Sequence, residues 1–502
     1  MSKPNMSHWQ IAGAIGTGMA ALSFTGCESL IQKEEVQKKN VLFIAIDDFT
    51  PKHWGCSGGT VVQTPHVDAL AADGLLFNRA YCPSPACVPS RQSVTRGLLP
   101  STSGVFGNFT PIEIKRGWCK TPEQTTLYSH FQANGYVTAS AGKVDHGLHK
   151  DHIDYRLDDT ITFPNRDEEI AAYIKPEQKA FKAGIVHFRG KDMPLQILYG
   201  PSGMKEEHEW DYINASRGIR FLNQKHEKPF FLALGLTATH TAYSVPKKYH
   251  EMYPIDEMVV PFVPENDRDD MINDYDKIGP YPFRDAPEEV SKEMISAHFA
   301  CMSFIDDQIG RVIQTLKETG HYENTVIVLW TDHGNMIGEH GIWSKGPLLE
   351  DAVSSGLIFK VPGITKAGTV CERPVESVDI FATLSDVCGL GVPENLDSVS
   401  MKTLLENPKA EWKKGAMVTS MDVHEDNSIS GSSRLLITED FSFTKQYIDI
   451  PYAKAGDMEL YDLRTDPECF NNVAHDKEYA GVLNELEQLL DSRYKPYAGA
   501  SE

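Results

Sequence analysis

The chain has 502 residues, 41% hydrophobic and 24% charged, a globular balance that excludes a disordered or fibrous polypeptide. Its length suits two or three cores, or one large α/β core with an appendage. Its 70 acidic and 48 basic side chains give a formal charge of −22, which argues against a nucleic-acid partner, since that partner needs a basic footprint.

The N-terminus reads as a targeting segment. Lys3 precedes an apolar stretch from Ile11 to Phe24, and small residues follow up to Gly26-Cys27. Charge, apolar core and small residues is signal-peptide order. The stretch falls short of the ~20 apolar residues of a membrane-spanning helix. The Gly26-Cys27 junction resembles a bacterial lipoprotein cleavage site. That resemblance implies a lipid on Cys27, export to the periplasm or outer membrane, and membrane contact through this anchor alone. An ordinary signal peptide cut nearby is the other reading. Residues 1–27 are expected to be the signal peptide and 28–39 a charged tether.

Asn40-Val-Leu-Phe-Ile-Ala-Ile46 is a continuous apolar run that ends at Asp47-Asp48. Such a run predicts a buried, central, parallel strand. Pro229 to Leu236 is a second run, ending near His240, and Thr325 to Trp330 a third, ending at Thr331-Asp332-His333-Gly334. Open α/β sheets bind ligands beyond the carboxyl ends of their strands. Asp256 to Pro287, rich in Pro, Asp and Tyr, reads as a long surface loop. Helix-spaced apolar residues from Val290 to Thr319 predict a long helix that stops at Gly320. Alternating strands and helices indicate an α/β sandwich. Short strand-like pieces at Leu435–Ile437, Phe441–Phe443 and Glu459–Tyr461, then a helix near Val482 to Leu490, suggest a smaller α+β subdomain. The expected division is 40–389 for the catalytic domain and 390–502 for the C-terminal subdomain.

Two adjacent carboxylates at a strand end repel each other and need a cation. Asp47 and Asp48 with Asp332 and His333 offer oxygen-rich ligands for a hard divalent ion such as Ca²⁺ or Mg²⁺. Cys87, before Pro89-Ser90-Arg91, is expected to start a helix in an electropositive, nucleophile-like setting. The remaining cysteines show no zinc spacing and are too sparse for a disulfide scaffold. Buried free thiols are the default reading, and a disulfide or two is the alternative.

Cys87-x-Pro89-Ser90-Arg91 with Gly97 resembles the signature of the type I sulfatases, in which the Cys is converted to formylglycine. Asn40 to Asp48 is similar to that family's opening strand and metal pair, and Thr64 to Phe77 to the segment after it. Gly142-Lys143-Val144-Asp145-His146, Thr331-Asp-His-Gly334, Gly338-Glu-His-Gly341, Trp343-x-Lys345 and Glu459-Leu-Tyr-Asp-Leu463 match further elements in order. The lysine and His333 elements are most similar to the iduronate-2-sulfatase branch.

The resemblance implies an alkaline-phosphatase-like α/β sandwich: a large mixed, mainly parallel central sheet flanked by helices, and a C-terminal subdomain with a short antiparallel sheet. It implies calcium held by Asp47, Asp48, Asp332, His333 and the modified Cys87. Arg91 would hold the formylglycine, and Lys143, His146, His240 and Lys345 would surround the sulfate. The hydrated aldehyde, a gem-diol, would attack sulfur. His240 or Lys345 would protonate the leaving alcohol, and His146 would serve as base. A formylglycine-generating or maturase enzyme becomes a required partner. The substrate would be a sulfated carbohydrate, either a glycosaminoglycan unit or an algal galactan or fucan.

One departure bears on substrate contacts. The family's usual second His after the middle strand is Tyr243 in His240-Thr-Ala-Tyr243. Two other functions compete: a phosphomonoesterase or phosphodiesterase on the same superfamily fold, and a non-catalytic polysaccharide-binding lipoprotein with Cys87 unmodified.

Overall fold

The computed structural model describes residues 38–108, 125–144, 151, 153–157, 199–267, 269–272, 286–423, 429–448 and 455–493. The signal-peptide and tether expectations fall almost wholly outside them. So do Cys119 and His146. Among the described residues no helix is long and apolar enough to cross a membrane.

The main sheet has eight strands. In chain order they are β1 (Asn40–Ile46), β2 (Leu75–Phe77), β3 (Val137–Gly142), β4 (Tyr155–Arg156), β5 (Phe230–Leu236), β6 (Thr325–Thr331), β7 (Leu357–Lys360) and β8 (Thr369–Cys371). Their spatial order is β8-β2-β7-β6-β1-β5-β3-β4. Only β7 runs antiparallel to its neighbours, β6 and β2; all other pairs are parallel. The sheet is therefore the mixed, mainly parallel one expected, with the first apolar run at its centre.

β1 is buried at every residue because it is covered on both faces. Its alternate residues serve two cores, following the two-residue period of a strand. Leu42, Ile44 and Ile46 join a core with Met294, Phe299, Met302 and Ile305. These four belong to the helix Glu288–Glu318, which opens with Glu288 and Glu289 in its first turn, where the helix dipole favours acids. It is followed by Gly320 at φ 75°, a left-handed stop suited to glycine. Val41, Phe43 and Ala45 face the other core, with Val94, Phe131, Phe381 and Leu384.

Past the large sheet, Met401, Leu404 and Leu405 still pack into that second core. A four-stranded antiparallel sheet then follows: β9 (Ala416–Val423), β10 (Ile429–Ile437), β11 (Phe441–Ile448) and β12 (Met458–Asp462), in that spatial order. The helix Ala480–Arg493 covers it through Leu486 and Leu490. The three short strands and the final helix read from sequence are here; β9 is an addition. Arg493 ties this helix to the main body by an ion pair with buried Glu376 at 2.6 Å.

Candidate active site

Four neighbouring strands end at one edge and deliver the site. Ile46 of β1 is paired with Leu236 of β5 and Thr331 of β6, so the next residues, Asp47, Thr237 and Asp332, fall side by side. Asp47 N–H donates to Leu236 O and Asp332 N–H to Ile46 O, both at 3.0 Å, so the ladder continues into the site. β3 brings Lys143. Here Gly142 pairs with Gly235, and a Cβ on Gly235 would lie 2.0 Å from the Lys143 carbonyl oxygen. Only glycine at 235 lets the chain of Lys143 cross so closely.

Cys87 is the first residue of the helix Cys87–Arg96, whose first nine residues are all buried. Ser90 Oγ–H donates to the Asp332 carbonyl, fixing this helix to the end of β6. Cys87 Sγ then lies 3.3 Å from Asp47 Oδ1, 3.4 Å from His333 Nε2 and 2.9 Å from Lys345 Nζ. Lys345 Nζ also contacts both oxygens of Asp48, at 2.7 and 3.0 Å. Lys143 Nζ pairs with Asp47 Oδ2. Arg91, wholly buried, donates through Nε to Asp332 Oδ2 at 2.8 Å and through an η nitrogen to the Lys143 carbonyl. Its other η nitrogen lies 3.7 Å from Asp47 Oδ1 and has no hydrogen-bond partner. That η nitrogen, with both its N–H groups, is left without a hydrogen-bond acceptor.

Asp47, Asp48, Cys87 and His333 each offer a donor atom, all within 4.8 Å of one another. Asp332 lies against this group, its Oδ1 3.6 Å from His333 Nε2. Its Oδ1 accepts from the backbone N–H of Asp48 at 3.2 Å and of His333 at 3.0 Å, and Oδ2 accepts from Arg91. Asp48 sits at φ 50°, an uncommon conformation for a non-glycine residue and one found at strained functional sites.

Burial and the carboxylates of Asp47 and Asp332 push the Cys87 thiol well up, against the smaller pull of Lys345. The helix start is present, and the thiol, between the Lys345 ammonium and the Asp47 carboxylate, is held protonated. Burial would raise Asp47 too, yet Arg91, Lys143 and Lys345 together hold it well below the usual carboxylate range.

His240 lies on the turn after β5, partly buried. Its Nδ1 is 2.8 Å from the Thr241 carbonyl, so Nδ1 carries the proton and Nε2 is left to act. Tyr243 is no substrate contact. It is fully buried, its ring is 4.5 Å from that of His298, and its hydroxyl accepts from Asn335 at 3.1 Å. The seven described cysteines are all free, as the default reading held.

Sequence reasoning missed the supports of the His240 turn. Buried Asp211 accepts from the backbone N–H of Thr237 at 2.8 Å and of Ala238 at 2.7 Å. Thr239 Oγ1–H donates to the Asp47 carbonyl, joining that turn to the end of β1. No motif marks Asp211. Its one signal is a carboxylate opening a half-apolar helix, Trp210–Leu222.

A family model described as Sulfatase matches residues 39–390, well over half of the chain. The chain belongs to the sulfatase family. A second model, for the C-terminal region of N-sulphoglucosamine sulphohydrolase, matches residues 338–495. A sulfatase from Formosa agariphila is 29% identical, over 94% of this chain and 90% of that protein. The iduronate 2-sulfatase of Mus musculus is 26% identical, over 89% of this chain and 93% of its own. Among solved structures, the phosphonate monoester hydrolase of Agrobacterium radiobacter superposes with a TM-score of 0.73 at 22% identity, covering 91% of this chain and 96% of that one. A structure in complex with its substrate D-glucosamine-2-N,6-O-disulfate does so with a TM-score of 0.65 at 21% identity, covering 91% and 97%. The sulfatase fold reaches from one end of the described chain to the other.

Proposed function

We propose that this sulfatase removes sulfate from a sulfated carbohydrate, with Cys87 acting as formylglycine and calcium bound beside it. The observation that carries the reading is one buried cluster in which Cys87 meets three carboxylates, an imidazole and three cationic side chains. Iduronate and glucosamine units in the named relatives support a sugar substrate.

The donor set fits a divalent cation. His333 Nδ1 lies 2.8 Å from the Gly334 carbonyl and so carries the proton, leaving the Nε2 lone pair toward Asp48 Oδ1 at 3.3 Å. A divalent cation placed between Nε2 and Asp48 would satisfy both atoms. Asp47, Asp48, Cys87, Asp332 and His333 would hold it, with Asp332 also accepting from the backbone N–H groups of Asp48 and His333. Calcium there would act as a Lewis acid on sulfate oxygens. Formylglycine, once hydrated, would supply an oxygen nucleophile that the neutral Cys87 thiol does not.

The chain's own residues do the rest. Asp332, Asp47 and Asp48 offset Arg91, Lys143 and Lys345 in charge, so a bound divalent cation would leave the site positive for an anionic sulfate ester. Arg91 would offer its unpartnered η nitrogen to a sulfate oxygen. Lys143 and Lys345 stabilise charge as it builds on oxygen. His240 presents Nε2, which in the imidazolium form would hand its proton to the leaving alcohol. No step is assigned to His146.

The fold shared with a phosphonate monoester hydrolase favours one rival, a phosphonate or phosphate esterase. The test is direct. Peptide mass spectrometry across Cys87 on protein from its own host should show the formylglycine mass. Wild type should turn over 4-nitrocatechol sulfate with higher kcat/KM than phenyl 4-nitrophenylphosphonate, and Cys87→Ala should turn over neither. An unmodified Cys87 in active protein, or the reverse preference, removes the reading.

A further inference from the structure

The loops that carry the cluster are tied together a second time, beyond it. The sheet ladder ends at the ligands: Ile46 pairs with Thr331, and Asp332 N–H donates to Ile46 O. From there the chain after β1 runs through Asp47-Asp48, and the chain after β6 through Asp332-His333. The two meet again at Thr50 and Asn335. Thr50 Oγ1–H donates to the Asn335 carbonyl at 2.7 Å, and Asn335 N–H donates back to Thr50 Oγ1 at 2.7 Å. Thr50 Oγ1 also lies 3.2 Å from the Asp351 carbonyl. The Asn335 side-chain amide donates to the Tyr243 hydroxyl at 3.1 Å, so the loop that carries His240 is drawn into the same tie.

Thr50, Asn335 and Tyr243 are all buried, where water competes poorly for their hydrogen bonds. Thr50 stands two residues past Asp48, Asn335 two past His333 and Tyr243 three past His240. Each acidic or histidine ligand of the cluster on these two loops therefore sits between the ladder on one side and the Thr50–Asn335 exchange on the other. The Tyr243 ring is itself backed by His298 of the long helix, with ring centroids 4.5 Å apart. Burial holds that imidazole at about 4, below its ordinary 6.5, so it packs against the ring uncharged.

Cation affinity depends on how well the surrounding residues fix the separation and direction of the ligands. Here the ligands come from two loops, and a hydroxyl shared between those loops closes the frame behind them. We propose that Thr50 and Asn335 are positioning residues for the cation, holding Asp47-Asp48 and Asp332-His333 at the separation a divalent ion needs, with Tyr243 steadying Asn335 from the His240 loop. The assignment rests on the calcium reading of the site and adds to it residues that touch neither ion nor sulfate.

The test measures calcium affinity rather than turnover. Wild type, Thr50→Val and Thr50→Ser are stripped with EGTA and titrated calorimetrically with CaCl₂, well below their melting temperatures. Valine keeps the shape of Thr50 and removes its hydroxyl; serine keeps the hydroxyl. Thr50→Val is expected to raise the calcium Kd about tenfold or more, the scale of losing a group that orients ligands, and Thr50→Ser to stay close to wild type. A purely structural contact would lower the melting temperature of Thr50→Val and leave its Kd unchanged, and that result overturns the proposal. Equal weakening by valine and serine also overturns it, because the hydroxyl would then not be the group that matters. Should Thr50→Val fail to fold, Tyr243→Phe decides: it keeps the ring on His298, removes one hydroxyl, and is expected to raise the Kd several-fold, so a wild-type Kd there overturns the proposal. Wild-type protein that binds no calcium removes the calcium reading and this assignment together. Wild-type protein that binds calcium but does not hydrolyse 4-nitrocatechol sulfate removes the sulfatase reading alone.

Discussion

Lys345 Nζ lies 2.9 Å from Cys87 Sγ and 2.7 Å from Asp48 Oδ1, joining the helix that starts at Cys87 to the end of β1 through one ammonium. Both partners are buried, so the charge acts in a low-dielectric setting. Removing it leaves the Asp48 carboxylate short of a partner and strips one donor from developing oxygen charge. Lys345→Ala is expected to lower kcat/KM on 4-nitrocatechol sulfate by about 10²–10³, the scale of losing one preorganised donor. Wild-type kcat/KM in this variant would exclude Lys345 from the site.

Metal removal should act on both activity and stability. The Asp47, Asp48, Cys87 and His333 donors converge within 4.8 Å, and an ion bound only by the folded chain stabilises it. Dialysis against EGTA is expected to abolish turnover and lower the melting temperature. Returning Ca²⁺ at 100 times its Kd should restore about 2.7 kcal/mol of stability. Asp48→Asn protein should show neither response to calcium at that concentration.

Why some of this was legible in sequence and some was not follows from particular residues. β1 and β6 announce themselves because both faces are buried, so apolar residues run continuously from Val41 to Ile46 and from Val326 to Trp330, just before Asp47 and Asp332. β3 hides: Val137-Thr-Ala-Ser-Ala-Gly142 is small and half polar, yet it is the strand that carries Lys143. Lys143 was found by its local motif instead. β7 is four residues long and antiparallel, too short for a period to show. Tyr243 stood in sequence where a second histidine was expected, and only packing against His298 reveals it as a core residue. Asp211 left no signal because its partners are backbone N–H groups, which any residues supply.

Asp211 is expected to position the His240 turn. Asp211→Ala leaves the buried N–H groups of Thr237 and Ala238 unpaired, at about 1–3 kcal/mol each. The turn they belong to carries His240 and, through Thr239, the end of β1. The variant should melt lower and lose kcat by about tenfold or more, because displacement of a catalytic group is costly. Asp211→Asn keeps one oxygen acceptor and should recover most of the kcat. Equal kcat loss in both variants would point to the charge rather than to the turn.

Glu376 sets an acid limit on the C-terminal sheet. It is buried, pairs with Lys413 at 2.9 Å and Arg493 at 2.6 Å, and accepts from the Met417 N–H at 3.0 Å. Burial alone would raise its pKa, but Lys413 and Arg493 overcome that and hold it at about 2, below the ordinary 4.5. A carboxyl with a depressed folded-state pKa binds its proton more readily when unfolded. Its contribution is therefore complete above pH 4.5 and is lost as the pH falls toward 2. Asp379, pushed the other way to about 6 by burial and by Glu376, works in the opposite sense, so the wild-type profile alone mixes the two. The difference between wild type and Glu376→Gln isolates the Glu376 charge together with its coupling to Asp379. At pH 7 that variant should be less stable by about 3 kcal/mol, the usual scale for breaking a buried ion pair. The gap should narrow as the pH is lowered from 4.5 toward 2. A gap that stays constant over that range would mean that Glu376 stabilises by shape and hydrogen bonding, with its charge contributing nothing.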